Sequence, residues 1–405
     1  MRNMPTPHAA TPSAIERHES YLRADPDNTT LRVALADLYH RAGRFDDALA
    51  CLQPCLERAP AHAVARARVA SVLISQQRFS EAEALLAPLT RETGDGALLH
   101  NLGIAQYQQR RFADARTSFE RAGTALAATD AAAQAANARW LTLACHHLGD
   151  TAAALESGRR WAERGGDEAA GYLALVEMDH GDMAAAHQRA ASVLARDPGN
   201  SNAAIVEAMW ATETQEFDTA QSLFEGVAGH EQDNPRAWVG IGLGHLLQER
   251  HAAAIEAFET AARLLPGHAQ TLTTLGWGRY VARDLAGAER AFRQAIAANR
   301  GFAEAHGGLA LTLVVLQRYA EARRATRIAL RLNPQGFGAV YAHGALMAID
   351  GKRAQGEAEI AQALQRPIMA DGRSLMNHLQ MHLRRQVARG AVAEPPPPHP
   401  TEEER

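Results

Sequence analysis

Apolar and polar positions along the chain follow one recurring phrase. A Gly or polar residue is followed by a bulky or polar pair, two more residues and an Ala. The phrase stands at Gly43–Ala48, Gln77–Ala82, Arg110–Ala115, Gly149–Ala154, Gly181–Ala186, Gln215–Ala220, Glu249–Ala254, Arg283–Ala288 and Gln317–Ala322. A weaker copy runs from Gly351 to Gly356. Six of the nine intervals between closing residues are 34 residues, the last five of them consecutive, and the others are 33, 39 and 32. A period of this length predicts units that cannot bury an apolar face alone and must stack on their neighbours.

Within each period the positions agree as well. One unit carries Trp238, Ile241, Gly242, Ala254, Phe258, Ala261 and Pro266. Others carry Leu99, Leu102, Gly103, Ala115, Phe119 and Ala122, or Leu272, Leu275, Gly276, Ala288 and Phe292. The first has Leu35, Ala36, Tyr39, Gly43, Ala48, Leu52, Cys55 and Pro60. This pattern resembles the tetratricopeptide repeat (TPR) over roughly residues 29–368. The resemblance implies an all-α, right-handed superhelical solenoid of about ten helix-turn-helix repeats. Small residues at the eighth and twentieth positions of a unit let its two helices approach closely. Gly43 and Gly149 suit a φ > 0 turn ending the first helix. Pro60, Pro198, Pro266 and Pro334 fall where a helix must stop.

Departures carry their own expectations. The 39-residue interval predicts a long second helix in unit three, with about five extra residues over Gly123–Asn137. Gly158 and Ala190 replace the expected Phe in units four and five, which predicts a bend or loosening there. Pro54 and Pro88 predict bent or shortened second helices in units one and two. At the ends, residues 1–28 read as a disordered segment plus a short capping helix over 14–23, and 29–368 as the array. Leu375, Met376, Leu379, Leu383 and Val387 form an apolar stripe at helical spacing. Residues 369–389 therefore read as a C-terminal capping helix or a docking helix for a partner, and 390–405 as a disordered Pro-rich and acidic tail.

Composition narrows the function classes. Hydrophobic residues are 46%, largely Ala, and aromatics only 5%, which suits close-packed helices. The net charge of −4 gives no broad attraction to phosphate backbones, so nucleic acid is not an expected partner. The single lysine, Lys352, among many arginines reads as a base-composition bias. Three cysteines, Cys51, Cys55 and Cys145, make no disulfide framework. Cys51 and Cys55 are spaced to touch on one helix, but Cys55 falls on an apolar repeat position. No stretch is long and apolar enough for a membrane span, and Pro5, Pro7 and Pro12 break any signal-like start. A bacterial-type, cytoplasmic protein is expected.

Catalytic motifs are missing. There is neither a phosphate-binding Gly-rich loop ending in Lys-Ser or Lys-Thr nor a His-Glu-x-x-His zinc motif. Gly240–Gly244 lies inside a helix, where a dinucleotide loop would need a strand before it. His378 and His382, His146 and His147, and His180 and His187 lack the cysteine or carboxylate partners of a metal site and read as surface residues. No catalytic residue, metal or cofactor is expected.

In the TPR family the first helix of each unit, helix A, lines the concave face. The resemblance places Ile104 and Tyr107, Leu143 and His146, Leu175 and Met178, and Met209 and Thr212 at the ninth and twelfth positions of successive A helices. Leu243 and Leu246, Trp277 and Tyr280, and Leu311 and Val314 continue the stripe. Such an apolar stripe marks either a groove for a partner segment, with Trp277, Tyr280 and Tyr107 as anchors, or a surface buried within the array. Val33, Asp37, His100 and Ile104 stand where carboxylate-clamp TPR domains carry Lys and Asn, so that clamp is not recognisable. The expected function is a non-catalytic protein-protein interaction scaffold or adaptor that binds a partner polypeptide. The alternative is a regulatory or substrate-selecting partner of a separate enzyme, such as a glycosyltransferase or an envelope-assembly enzyme. A second copy of the chain is the other partner such a stripe can take, giving a homo-oligomer.

Overall fold

The computed structural model describes residues 12–365 except 128 and 215. Both expected ends, 1–11 and the segment from 366 with its stripe, its His378 and His382 and its Pro-rich tail, lie outside the described residues. Among the described residues the chain forms 21 helices and no strand. After α1 (Pro12–Ala24) come ten pairs. They are α2 (Thr29–Arg41) with α3 (Phe45–Arg58), α4 (Ala63–Ser75) with α5 (Phe79–Thr93), and α6 (Gly96–Gln108) with α7 (Phe112–Ala125). Next are α8 (Ala131–His147) with α9 (Thr151–Ala162), α10 (Gly166–His180) with α11 (Met183–Leu194), and α12 (Ser201–Glu213) with α13 (Phe217–His230). The last are α14 (Pro235–Leu247) with α15 (His251–Leu264), α16 (Ala269–Val281) with α17 (Leu285–Ala298), α18 (Ala303–Val315) with α19 (Tyr319–Leu332), and α20 (Phe337–Ile349) with α21 (Arg353–Gln365). The fold class is all-α, a helical-repeat solenoid. The chain divides into two compact units, Met1–Val176 and Glu177–Arg405, with the boundary inside α10.

The recurring phrase proves to be the turn between the helices of each pair. Where described, its first residue is left-handed: Gly43 has φ +73°, Gly149 +75°, Gly181 +99° and Gly351 +80°. Gln77, Arg110, Glu249, Arg283 and Gln317 adopt the same conformation at φ between 59° and 65°, despite their side chains. The next N–H reaches back to a carbonyl inside helix A, as in Arg44 N–H to Tyr39 O at 2.9 Å and Arg318 N–H to Leu313 O at 2.9 Å. This closes the helix end, because the left-handed residue turns the chain so that orphan carbonyls find donors. The opposite joint is capped by side chains. Asn28, Asp130 and Asn200 each accept the N–H of the residue three further on.

Packing in most repeats centres on an aromatic or Leu of helix B lodged against a small residue of helix A. Phe119, Phe258 and Phe292 are completely buried. A Cβ added at Gly103, Gly242 or Gly276 would stand 2.5–2.7 Å from the ring of its own repeat. Gly240 and Gly308, on the following A helices, are as close to Phe224 and Phe292. The glycines thus make room for a ring, and each ring wedges one repeat against the next. In the last repeat the partners are Gly344 and Gly356, and a Cβ at Gly356 would lie 2.2 Å from the Gly344 carbonyl oxygen. That repeat lacks the ring and closes backbone on backbone.

One expectation needs correction. The extra residues of the 39-residue interval do not lengthen α7, which ends at Ala125 after 14 residues. They extend the following helix instead: α8 has 17 residues where most A helices have 13. Ala-rich sequence favours helix wherever it stands, and Asp130 sets the start by capping Ala133. The second helices of units one and two, expected to be bent or shortened, keep full length: α3 and α5 have 14 and 15 residues with Pro54 and Pro88 inside them. Each Pro withdraws a donor from its helix. In both repeats an Arg of helix A serves the backbone near that gap: Arg32 donates to Cys51 O and Arg66 to Leu85 O, both at 3.5 Å. Gly158 stands where unit four lacks the Phe, and a Cβ there would lie 3.1 Å from Leu173 and 3.4 Å from Thr142.

Candidate partner-binding face

Within the first unit, the A helices begin polar. Arg68 Nε lies 2.9 Å from Asp37 Oδ1, His40 Nε2 is 2.8 Å from Ser75 Oγ, and Asn101 Nδ2 donates to Ser71 Oγ at 3.4 Å. These bonds run from one A helix to the next and satisfy the face internally. Burial draws the His40 imidazole below its ordinary pKa.

The face becomes aromatic from α6 onward. Ile104, Tyr107, Leu143 and His146 are all half-buried there. Tyr107 meets Trp140 edge-on at 5.1 Å and His147 at 5.6 Å, and His147 stacks on Phe112 at 4.5 Å. Burial pushes the Tyr107 hydroxyl up to about 12, with Arg139 opposing. His146 Nδ1 is 2.8 Å from the Tyr172 hydroxyl. Leu175 is buried at 4% exposure. Sequence reading missed Trp140 and Phe112 and took His147 only as a surface residue. Trp140 stands three residues before Leu143 on α8, so helical spacing alone could have found it.

In the second unit the twelfth position is buried on α10 and α12 and half-buried from α14 onward. Leu243, Trp277 and Leu311 belong to one buried cluster, and Trp277 is only 1% exposed. Met178, Met209 and Thr212 are buried too. Trp277 packs at 5.2 Å against Phe292, so its ring is core and is not offered as an anchor. Leu246, Tyr280 and Val314, at the twelfth position, stay half-buried at the edge of the same cluster. Burial raises the Tyr280 hydroxyl to about 12, helped by Tyr341 and opposed by Arg283. The thirteenth position, which sequence reading passed over, is the more open: Val315 is 38% and Ile349 45% exposed.

Cys51, Cys55 and Cys145 are free and buried, and burial drives the Cys145 thiol up to about 11 against the pull of Arg116. Thiolate chemistry needs the opposite shift. Among the described residues no three His, Cys, Asp or Glu side chains gather as a metal site. A cavity of about 530 Å³ opens between α7, α8 and α9, lined by Arg116, Glu120, Asn137, Cys145, Ser157 and Arg160 among others. Of its arginines, Arg116 pairs with Glu120 and Asp150, and Arg160 with Glu156. Among the described residues no helix is long and apolar enough to cross a membrane.

Comparison with known proteins agrees with the repeat geometry. No curated protein sequence matches the chain. Among solved structures, the human IFIT1 dimer with m7Gppp-AAAA aligns at 14% identity and a TM-score of 0.51, covering 90% of this chain and 96% of that one. Yeast Tom70 aligns at 14% identity and 0.40, covering 94% and 95%. A tetratricopeptide repeat protein from Parabacteroides merdae aligns at 17% and 0.49, covering 61% of this chain and 97% of that one. Tetratricopeptide-repeat profiles match residues 10–60, 68–126, 211–269 and 273–337, together more than half of the chain. With the 34-residue phrase, the paired helices and the Gly–Phe wedge all in place, the chain belongs to the tetratricopeptide-repeat family.

Proposed function

We propose that the chain is a non-catalytic scaffold or adaptor that holds a partner polypeptide against the A helices of its second unit. Tetratricopeptide repeats generally mediate protein-protein interaction, which sets the class. The observation that carries the finer reading is the run of apolar side chains left partly open at the ends of successive A helices. Leu246, Tyr280 and Val314 are half-buried, and Val315 and Ile349 are exposed beside them. Apolar residues in register from repeat to repeat suit an amphipathic segment laid across them.

The test is an affinity capture from native host extract with mass spectrometry. The wild type is compared with a Tyr280→Ala, Val314→Ala double variant and with Trp277→Ala. The expected result is loss of a stoichiometric protein from the double variant while its helical circular dichroism is retained, its melting temperature falling less than that of Trp277→Ala because both side chains pack only on the edge of the core. Trp277→Ala should instead destabilise the fold by about 3–5 kcal/mol, because it empties a packed core site. A double variant that keeps every partner at wild-type yield would remove this face from consideration.

A further inference from the structure

The B helices of the second unit differ in charge, and α19 stands apart. It carries Arg323, Arg324, Arg327 and Arg331 against a single acid, Glu321. Its inward face is Ala322, Ala325, Thr326 and Ala329, so the arginines are forced outward. The acids within reach are already engaged. Glu321 pairs with Arg318 and Arg293, Glu289 with Arg293 and Arg318, and Asp350 with Arg323. Arg324, Arg327 and Arg331 are exposed and form no ion pair among the described residues. Spaced i, i+3 and i+7, they form one stripe about 10 Å long. Arg290 occupies the position on α17 that Arg324 occupies on α19, 34 residues on, and is likewise exposed and unpaired among the described residues.

The densest acidic run in the chain is Glu402-Glu403-Glu404. Thirty-six residues, 366–401, separate it from the end of α21. Even at a helical rise that length of chain can reach about 50 Å, while α19 lies only one repeat back. Tethering at such a distance supplies an effective concentration on the order of millimolar, which favours a weak electrostatic contact within the chain over the same contact between molecules. We infer that the outward face of α19 is a docking site for an acidic peptide, and that its resident occupant is the chain's own Glu402–Glu404 segment. A nucleic acid fits less well, because the stripe is short and the whole chain carries a net charge of −4. The site lies on B helices and stands independently of the A-helix reading.

Fluorescence polarisation on the full chain tests it, with a labelled peptide of residues 394–405 as the probe at low ionic strength. The wild type is compared with a Glu402→Gln, Glu403→Gln, Glu404→Gln chain. Removing the tethered competitor should tighten probe binding about tenfold, and added salt should weaken it. Adding Arg324→Glu, Arg327→Glu and Arg331→Glu should abolish binding with unchanged circular dichroism. If that charge reversal perturbs folding, Arg324→Gln, Arg327→Gln and Arg331→Gln replace it. Equal affinity of the wild type and the Gln chain overturns the tethered occupant. Binding that survives loss of the three arginines overturns the site, and displacement by homopolymeric RNA at lower concentration than by unlabelled peptide overturns the acidic-peptide assignment.

Discussion

Individual residues in the turns hold conformations that their side chains resist. Gln317 sits at φ +59° in a position where four other repeats place glycine. A left-handed residue with a Cβ carries strain of about 1–2 kcal/mol, partly offset by the extra entropy a glycine gives the unfolded chain. Gln317→Gly should therefore stabilise the protein by about 0.5–1 kcal/mol in urea denaturation, while Gly43→Ala should cost about 1 kcal/mol. Two variants moving in the same direction would mean that the turn does not set this strain. The polar-or-Gly opening of the phrase was visible in the sequence. What was not visible is that Gln, Arg and Glu there share the left-handed state of Gly43, because only the backbone reports it. Glu177 is a second residue hidden from pattern reading. It stands where the repeat has a Tyr-like position, is 5% exposed, and accepts two 2.8 Å bonds from Arg189. Glu177→Ala should cost about 1–3 kcal/mol, tempered because Arg189 can still reach water. An unchanged melting temperature would show that the pair adds nothing.

At the scale of helices, the period fixed the number of pairs but not how each pair closes. Gly356 looked like a degenerate copy of the repeat's Ala. In the fold it is the residue that lets α21 touch α20, with the Gly344 carbonyl 2.2 Å from where a Cβ would stand. Restoring the consensus with Gly356→Ala improves helix propensity by just under 1 kcal/mol. It also forces two backbones apart, and overpacking of that kind costs about 1–3 kcal/mol. The expected outcome is a net loss in thermal melting; a gain would show that the α20–α21 contact is slack. The same limit explains the misplaced insertion. A 39-residue interval counts extra residues, yet Ala-rich sequence is equally content in either helix, and the Asp130 cap decides for α8. It also explains why the apolar stripe divided. Leu243, Trp277 and Leu311 enter the core shared by successive helices, whereas Leu246, Tyr280 and Val314 remain at its edge. Spacing identifies the face of a helix, while burial depends on the neighbour packed against it.

At the scale of the whole chain, each compact unit contains tyrosines whose hydroxyls are held neutral by burial. In the first unit Tyr39 and Tyr107 are raised to about 12, and in the second Tyr280 is raised to about 12. Tyr39 is buried and also donates to Glu19 Oε1 at 2.6 Å, so ionisation would both strand a phenolate and set it against a carboxylate. An unfolded tyrosine ionises near pH 10. Since the folded values lie higher, the stabilisation is complete below pH 10 and is lost as the pH climbs from about 10 to about 12. Urea midpoints followed by far-ultraviolet circular dichroism should hold steady up to about pH 9 and fall by about pH 11. The fall should be shallower in Tyr107→Phe and Tyr280→Phe, which pack the same ring without an ionisable hydroxyl. Those variants separate this linkage from a general repulsion at high pH: repulsion across the surface would leave their slopes equal to the wild type, whereas buried phenols as the source would flatten each slope according to the tyrosine removed.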